Sequence, residues 1–186
     1  GPRSLAHGSA PWTLPHLIEE LDHCSISAAL VASTLQVGYD AMRENRRLVE
    51  MLAPYDWLHP VWNVHPHWTG EVPAPDRLLA LMKAQGIRAV TLCPQSNAWS
   101  LRSRTSHALL ATLEEAGVPV ILSYGTEQLD SETIEFLLER HPRLPVILRE
   151  VRRGEARHIV PLVLQYPNLH LAFDHFQIHC GIEWFV

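Results

Sequence analysis

Cysteine, clustered positive charge and long apolar runs are all scarce in this chain of 186 residues. Its three cysteines, Cys24, Cys93 and Cys180, are far apart and form no C-x-x-C pair. That excludes a disulfide scaffold and fits reduced thiols in a cytoplasmic protein. Fifteen Lys and Arg stand against twenty Asp and Glu, a formal net charge of -5. No basic tract occurs, so a nucleic-acid partner is not expected, because phosphate backbones are bound by clustered Lys and Arg. The run Arg43, Arg46, Arg47 is mixed with Glu44 and Glu50 and reads as a solvated helix face. No apolar run reaches the length of a membrane span, so no membrane partner is expected. The opening GPRSLAHGSA lacks the apolar segment of a signal peptide. Also missing are a Gly-rich phosphate turn after the first strand, a G-x-S-x-G elbow and an H-E-x-x-H helix, which argues against dinucleotide folds, serine hydrolases and zincins.

What is present is a globular composition, 47% hydrophobic and 19% charged, with twelve His. Short apolar strands alternate with amphipathic helices along the chain. Helices are expected at 14–23 (Thr13 as N-cap), 39–52, 73–86, 106–117, 131–141 and 156–167, the last disturbed by Pro161. Strands are expected at 26–33, 59–65, 87–93, 118–125, 144–150 and 169–176, and GIEWFV (181–186) starts a further helix. Gly86 and Gly117 serve as helix stops, and Asp130 or Ser131 as a helix start. Such alternation implies a parallel sheet with helical crossovers, its strands buried on both faces. The expectation is an α/β fold, a (β/α)8 TIM-type barrel that is incomplete. One strand would be added before residue 1, and one strand–helix unit after Val186. An intact barrel needs roughly 250 residues. Residues 1–186 are taken as a single partial barrel domain; a small open α/β domain is the alternative.

The phrases PVILSYG, ERHPRLPVILRE, LVLQYPNLHLAFDHF and GIEWFV resemble the later barrel units of the amidohydrolase-related family, which includes aminocarboxymuconate-semialdehyde decarboxylase. The resemblance runs from about His59 onward and is most telling between Pro119 and Val186. It implies a hydrolase or decarboxylase with a divalent metal, usually zinc, held by an H-x-H pair on the first strand, two His on middle strands and a late Asp. Two of those positions are substituted here. PVILSYG places Ser123 where the family's pattern has His, and VILRE places Glu150 at the next. Serine is a poor zinc ligand, and Glu binds through oxygen. Either the metal is held differently or none is held.

Chemistry in a barrel gathers at the C-terminal ends of strands. That selects Asn63, His65 and His67, then Cys93, then Ser123 and Tyr124, then Arg149, Glu150, Arg152 and Arg153, and finally Asp174, His175 and His179. Glu150 and Asp174 are the candidate acid/base pair. Asn63, His65, Ser123, Tyr124, Arg149 and Arg152 are the candidate substrate contacts, with Arg149 and Arg152 suited to a carboxylate. His65 and Glu150 are weak candidates for a metal. Asp174 and His175 would point to opposite strand faces, and Asp174 is preferred for the mouth. His67 reads as a residue bonding loop backbone, Cys93 as a buried structural thiol and His170 as structural. His16, Glu20 and His23 share a helix face expected outside the barrel. His107, His141 and His158 fall on helices as surface or satisfied histidines. Trp57, Trp62 and Trp68 read as core and loop packing, without the basic interleaving of a base-stacking platform.

The leading expectation is an amidohydrolase-like hydrolase or decarboxylase of a small carboxylated or cyclic substrate at the barrel mouth. The alternatives are a metal-free barrel binding a small anionic ligand and an unrelated barrel enzyme using Glu150 and Asp174. The oligomeric state is left open, including a homo-oligomer.

Overall fold

A computed structural model describes residues 13–38 and 40–172. Asp174, His175, His179, Cys180 and the segment 181–186 lie outside the described residues, as does Tyr39.

Six chain segments run parallel and side by side. The first strand, β1 (Ala29–Val31), pairs with β2 (Leu58–Pro60), and β3 (Trp62–Asn63) begins a second ladder through β4 (Val90–Leu92), β5 (Val120–Ser123), β6 (Val146–Arg149) and β7 (Leu169–Ala172). The single strand expected at 59–65 therefore serves two neighbours in turn. Val61 donates its N–H to Val31 on one side at 2.8 Å, while Val64 donates to Thr91 on the other at 3.2 Å. Successive N–H groups of an extended chain point to opposite sides, so the change of partner needs no break in the backbone. Among the described residues the array is open, with β1 and β7 as its outer strands.

Helices connect the strands: α1 (Leu14–His23) before β1, the short turn α2 (Leu35–Gly38), and α3 (Ala41–Leu52), α4 (Pro75–Ala84), α5 (His107–Glu115), α6 (Ser131–Arg140) and α7 (Ala156–Gln165) as crossovers. Two caps were legible in part. Thr13 occupies the N-cap position of α1, but its side chain makes no capping bond. Asp130 does cap α6, accepting from the Thr133 N–H at 2.6 Å. The helix expected from Tyr39 starts at Ala41, because the Asp40 carboxylate takes the Arg43 N–H at 3.0 Å and fixes the start there. Helix α7 runs through Pro161 without ending. After α4 and α5, Gly86 (φ 70) and Gly117 (φ 63) adopt the left-handed conformation that reverses the chain into the next strand.

The strands have two distinct faces. Trp62, Val90, Val120 and Val146, then Val64, Leu92, Leu122 and Leu148, are at most 1% exposed and meet Leu78, Met82, Leu110, Leu113, Ile134 and Leu137 from the helices. Each such side chain contributes about 1.5–3 kcal/mol by leaving water. The other face carries Asn63, Thr91, Ile121, Ile147 and His170, which the register places side by side. This is the face a barrel turns to its axis. It is less buried than the helix face and becomes polar toward the C-terminal strand ends.

Candidate functional site

One further step along the axial face gives the rim. Ser123, Arg149 and Ala172 are directly in register. Cys93 follows Leu92, the partner of Leu122, and so stands beside Ser123; His65 lies two residues beyond Asn63. The strand-end candidates His65, Cys93, Ser123 and Arg149 are thereby brought to one side of neighbouring strands.

Three of the expected residues do not continue the open axial face. Tyr124 belongs to the helix side, 6% exposed within the main core, because it falls one residue out of phase with Ser123. Burial pushes its phenol pKa up, and the charges of Glu155 and Asp130 add to this. Glu150 also follows out of phase, but at φ 60 it leaves the strand path and turns its carboxylate toward the preceding loop. There Oε2 accepts the Thr126 N–H at 3.0 Å, and Oε1 lies 4.0 Å from Arg149 Nη2. Asn63 is fully buried rather than lining an open mouth.

Asn63 belongs to an amide network. Asn45 on α3 mimics a neighbouring strand, accepting the Asn63 N–H at 3.0 Å and donating to its carbonyl at 2.9 Å. Gln36 of the α2 turn donates to Asn45 and to the Val61 carbonyl. The Asn63 amide donates to the Gln36 carbonyl and to Asn97 Oδ1, while its own Oδ1 is buried with no protein partner. This network fastens the end of β3 to the loops after β1 and β4.

His65 contacts its own loop: Nδ1 lies 3.2 Å from the Pro66 carbonyl and Nε2 3.7 Å from Glu71. The ring of His67 lies against Trp68, centroids 4.5 Å apart, instead of forming a pair with His65. Trp68 is 65% exposed and donates to the Thr105 carbonyl, whereas Trp62 is wholly core. The Cys93 thiol is pushed up to about 12, first by burial, then by the charges of Glu127 and Glu150 against the opposing Arg149. It is therefore neutral at physiological pH. His16, Glu20 and His23 are exposed on α1, and His141 is satisfied at 2.9 Å by Glu114.

Sequence reasoning missed Glu127. This carboxylate is 3% exposed, and it accepts both the N–H of Ser96 (3.0 Å) and its hydroxyl (2.6 Å). A repeat could have revealed it, because VTLCPQSNAW and VILSYGTEQL align as V-x-L-[CS]-x-x-[ST]-[NE]. The loops fold alike. Asn97 donates to Cys93 and Trp99 to Pro94, as Glu127 donates to Ser123 and Leu129 to Tyr124. Ala98 (φ 53) and Gln128 (φ 49) take the same left-handed position.

A family profile described as Amidohydrolase matches residues 41–179. The chain belongs to the amidohydrolase family. Its fold is shared with an uncharacterised TIM-barrel protein from Bordetella bronchiseptica, with a TM-score of 0.69, 22% identity and 86% of this chain covered. The chain spans 58% of the length of that protein. It is also similar to a 2,6-dihydroxybenzoate decarboxylase from Rhizobium, with a TM-score of 0.60, 12% identity, and 92% of this chain and 81% of that one covered. No curated protein matches the chain. These likenesses establish the six-strand array as part of a TIM-type barrel. No helix among the described residues is long and apolar enough to cross a membrane.

Proposed function

We propose that this amidohydrolase-family chain is a hydrolase or decarboxylase acting on a small carboxylated or cyclic substrate at the rim of the barrel. The observation that supports it is the placement of Arg149 beside Ser123 on the axial face, with a side chain 42% exposed. A guanidinium fork there binds a carboxylate in a fixed orientation, and the Ser123 hydroxyl supplies a neighbouring hydrogen bond. Arg152 adds positive charge from the next turn. His65 closes the side of the mouth near β3, while Asn63 holds that wall through its amide network. Tyr124 supports the rim from the core side. Proton transfer falls to Glu150 and to Asp174, the latter outside the described residues. The chain is read as one partial barrel domain of a cytoplasmic enzyme whose partner is its small-molecule substrate.

The family's metal, zinc in its usual pattern, would activate a water molecule. The described residues do not fit it: no three His, Cys, Asp or Glu side chains among them converge on one point. Ser123 is a weak donor, Glu150 is engaged by Thr126, and Cys93 keeps its proton. That mismatch favours a second reading, a metal-free barrel that binds a small anion.

The test is a turnover assay of the purified chain on a panel of small cyclic carboxylates, with metal content measured before and after chelation. Turnover is expected, and Arg149→Ala should lower kcat/KM by about tenfold to a hundredfold, the value of a charge-assisted hydrogen bond. Turnover indifferent to Arg149→Ala overturns the assignment. Binding without turnover moves the chain to the second reading.

A further inference from the structure

We propose that the Glu150 carboxylate sits in an anion seat of the rim, and that a small carboxylate ligand binds by displacing it. This rests on the carboxylate-binding reading above and specifies how that site is occupied.

The seat is visible because the protein builds the same turn twice. In the loop after β4, the N–H of Ser96 receives Glu127; in the equivalent loop after β5, the N–H of Thr126 receives Glu150, both at 3.0 Å. The two carboxylates are held differently. Glu127 is 3% exposed and also takes the Ser96 hydroxyl at 2.6 Å. The Glu150 side chain is 30% exposed. Glu150 reaches the seat from a backbone at φ 60, a conformation that costs a β-carbon-bearing residue energy.

Two guanidinium groups lie near the second seat, with the Glu155 carboxylate on the Arg152 N–H. Arg149 Nη2 stands 4.0 Å from Glu150 Oε1. A Cβ on Gly125 would lie 3.7 and 3.8 Å from Nε and Nη2 of Arg152 and 3.3 Å from the Glu150 carbonyl. Gly125 thus relieves a tight approach to the Glu150 carbonyl, and the Arg152 guanidinium lies in ordinary contact range beside it. A backbone N–H beside the Arg149 guanidinium, with Arg152 near the same loop, is a carboxylate-binding arrangement, filled here by an accessible side chain on a left-handed backbone. An incoming carboxylate takes over the Thr126 N–H and Arg149. The released Glu150 carboxylate then becomes available for the proton transfer assigned to it.

The experiment is a calorimetric titration of benzoate and cyclohexanecarboxylate into the full chain, the Glu150→Gly variant and the Glu150→Gly/Arg149→Ala double variant. Glycine removes the competing carboxylate and suits φ 60. Affinity should rise about tenfold in Glu150→Gly, the worth of one charge-assisted hydrogen bond, and vanish in the double variant. Glu150→Asn, which tolerates the same φ and is shorter by one methylene, gives the same comparison if the glycine variant does not fold. If the wild type binds through Arg149 and neither substitution tightens binding, the displacement is wrong while the site stands. If no variant binds either acid, both readings fall.

Discussion

Glu127 joins two neighbouring strand ends through one side chain, so its loss should be felt in stability. Glu127→Ala removes the acceptor of the Ser96 N–H and hydroxyl, which water can partly replace because Ser96 is exposed. The expected cost is about 0.5–1.5 kcal/mol, read as a lower urea midpoint with an unchanged slope. Cys93 offers a chemical check on the same neighbourhood. With its thiol pushed up to about 12, it should resist iodoacetamide at pH 8, while the exposed Cys24 is alkylated readily. Peptide mapping that finds Cys93 modified as fast as Cys24 would contradict the burial described. At this scale the sequence was only half legible. The strand-end positions of His65, Cys93, Ser123 and Arg149 were legible, because alternation along a strand is a local rule. The roles of Glu127 and Glu150 depend on bonds to residues 31 and 24 positions away, which no local pattern displays. Tyr124 was misplaced because both a core residue and a rim residue can follow an apolar strand, and only its phase separates them.

The elements were easier to read than their ends. Short apolar runs with amphipathic helices between them announced each crossover, and all six parallel segments are present. Boundaries moved where a polar side chain intervened: Asp40 delays α3, and the amides of Gln36 and Asn45 take over pairing at the end of β3. Asp130 gives the clearest prediction for an element. The Thr133 backbone and side-chain hydrogen bonds, and then the Arg102 charge, hold its carboxyl below the usual range against the opposing effect of burial. A carboxylate with a lowered folded pKa stabilises fully above its unfolded value of about 3.9, and that stabilisation is lost as pH falls through the folded value. Asp130→Ala should therefore cost about 1 kcal/mol at pH 7, and the gap from wild type should close as the pH is taken below the ordinary Asp range. A gap that stays constant with pH would remove the carboxylate from the cap. Helix α7 carries an exposed Pro161 in its interior. Pro161→Ala restores a backbone donor and should raise the melting temperature.

Across the described residues, the parallel series from β3 to β7 puts its helix-facing residues in one core, with a second, smaller cluster of Leu48, Leu52 and Leu58 around β2. That arrangement brings the strand ends Ser123 and Arg149, far apart in sequence, side by side, and it is the basis of the small-ligand site proposed above. The family's fold was legible from the phrasing of the later units, and the profile match extends it back to residue 41. The chemistry was less legible, because Glu127 and Glu150 act on loops of neighbouring strands that no local phrase connects to them. The most direct measurement is an amide chemical-shift titration of the 15N-labelled chain with benzoate. The account predicts the largest shifts at Thr126, Gly125, Ser123 and Arg149. Shifts confined to the opposite strand ends, around Gly86, Gly117 and Arg143, would contradict it.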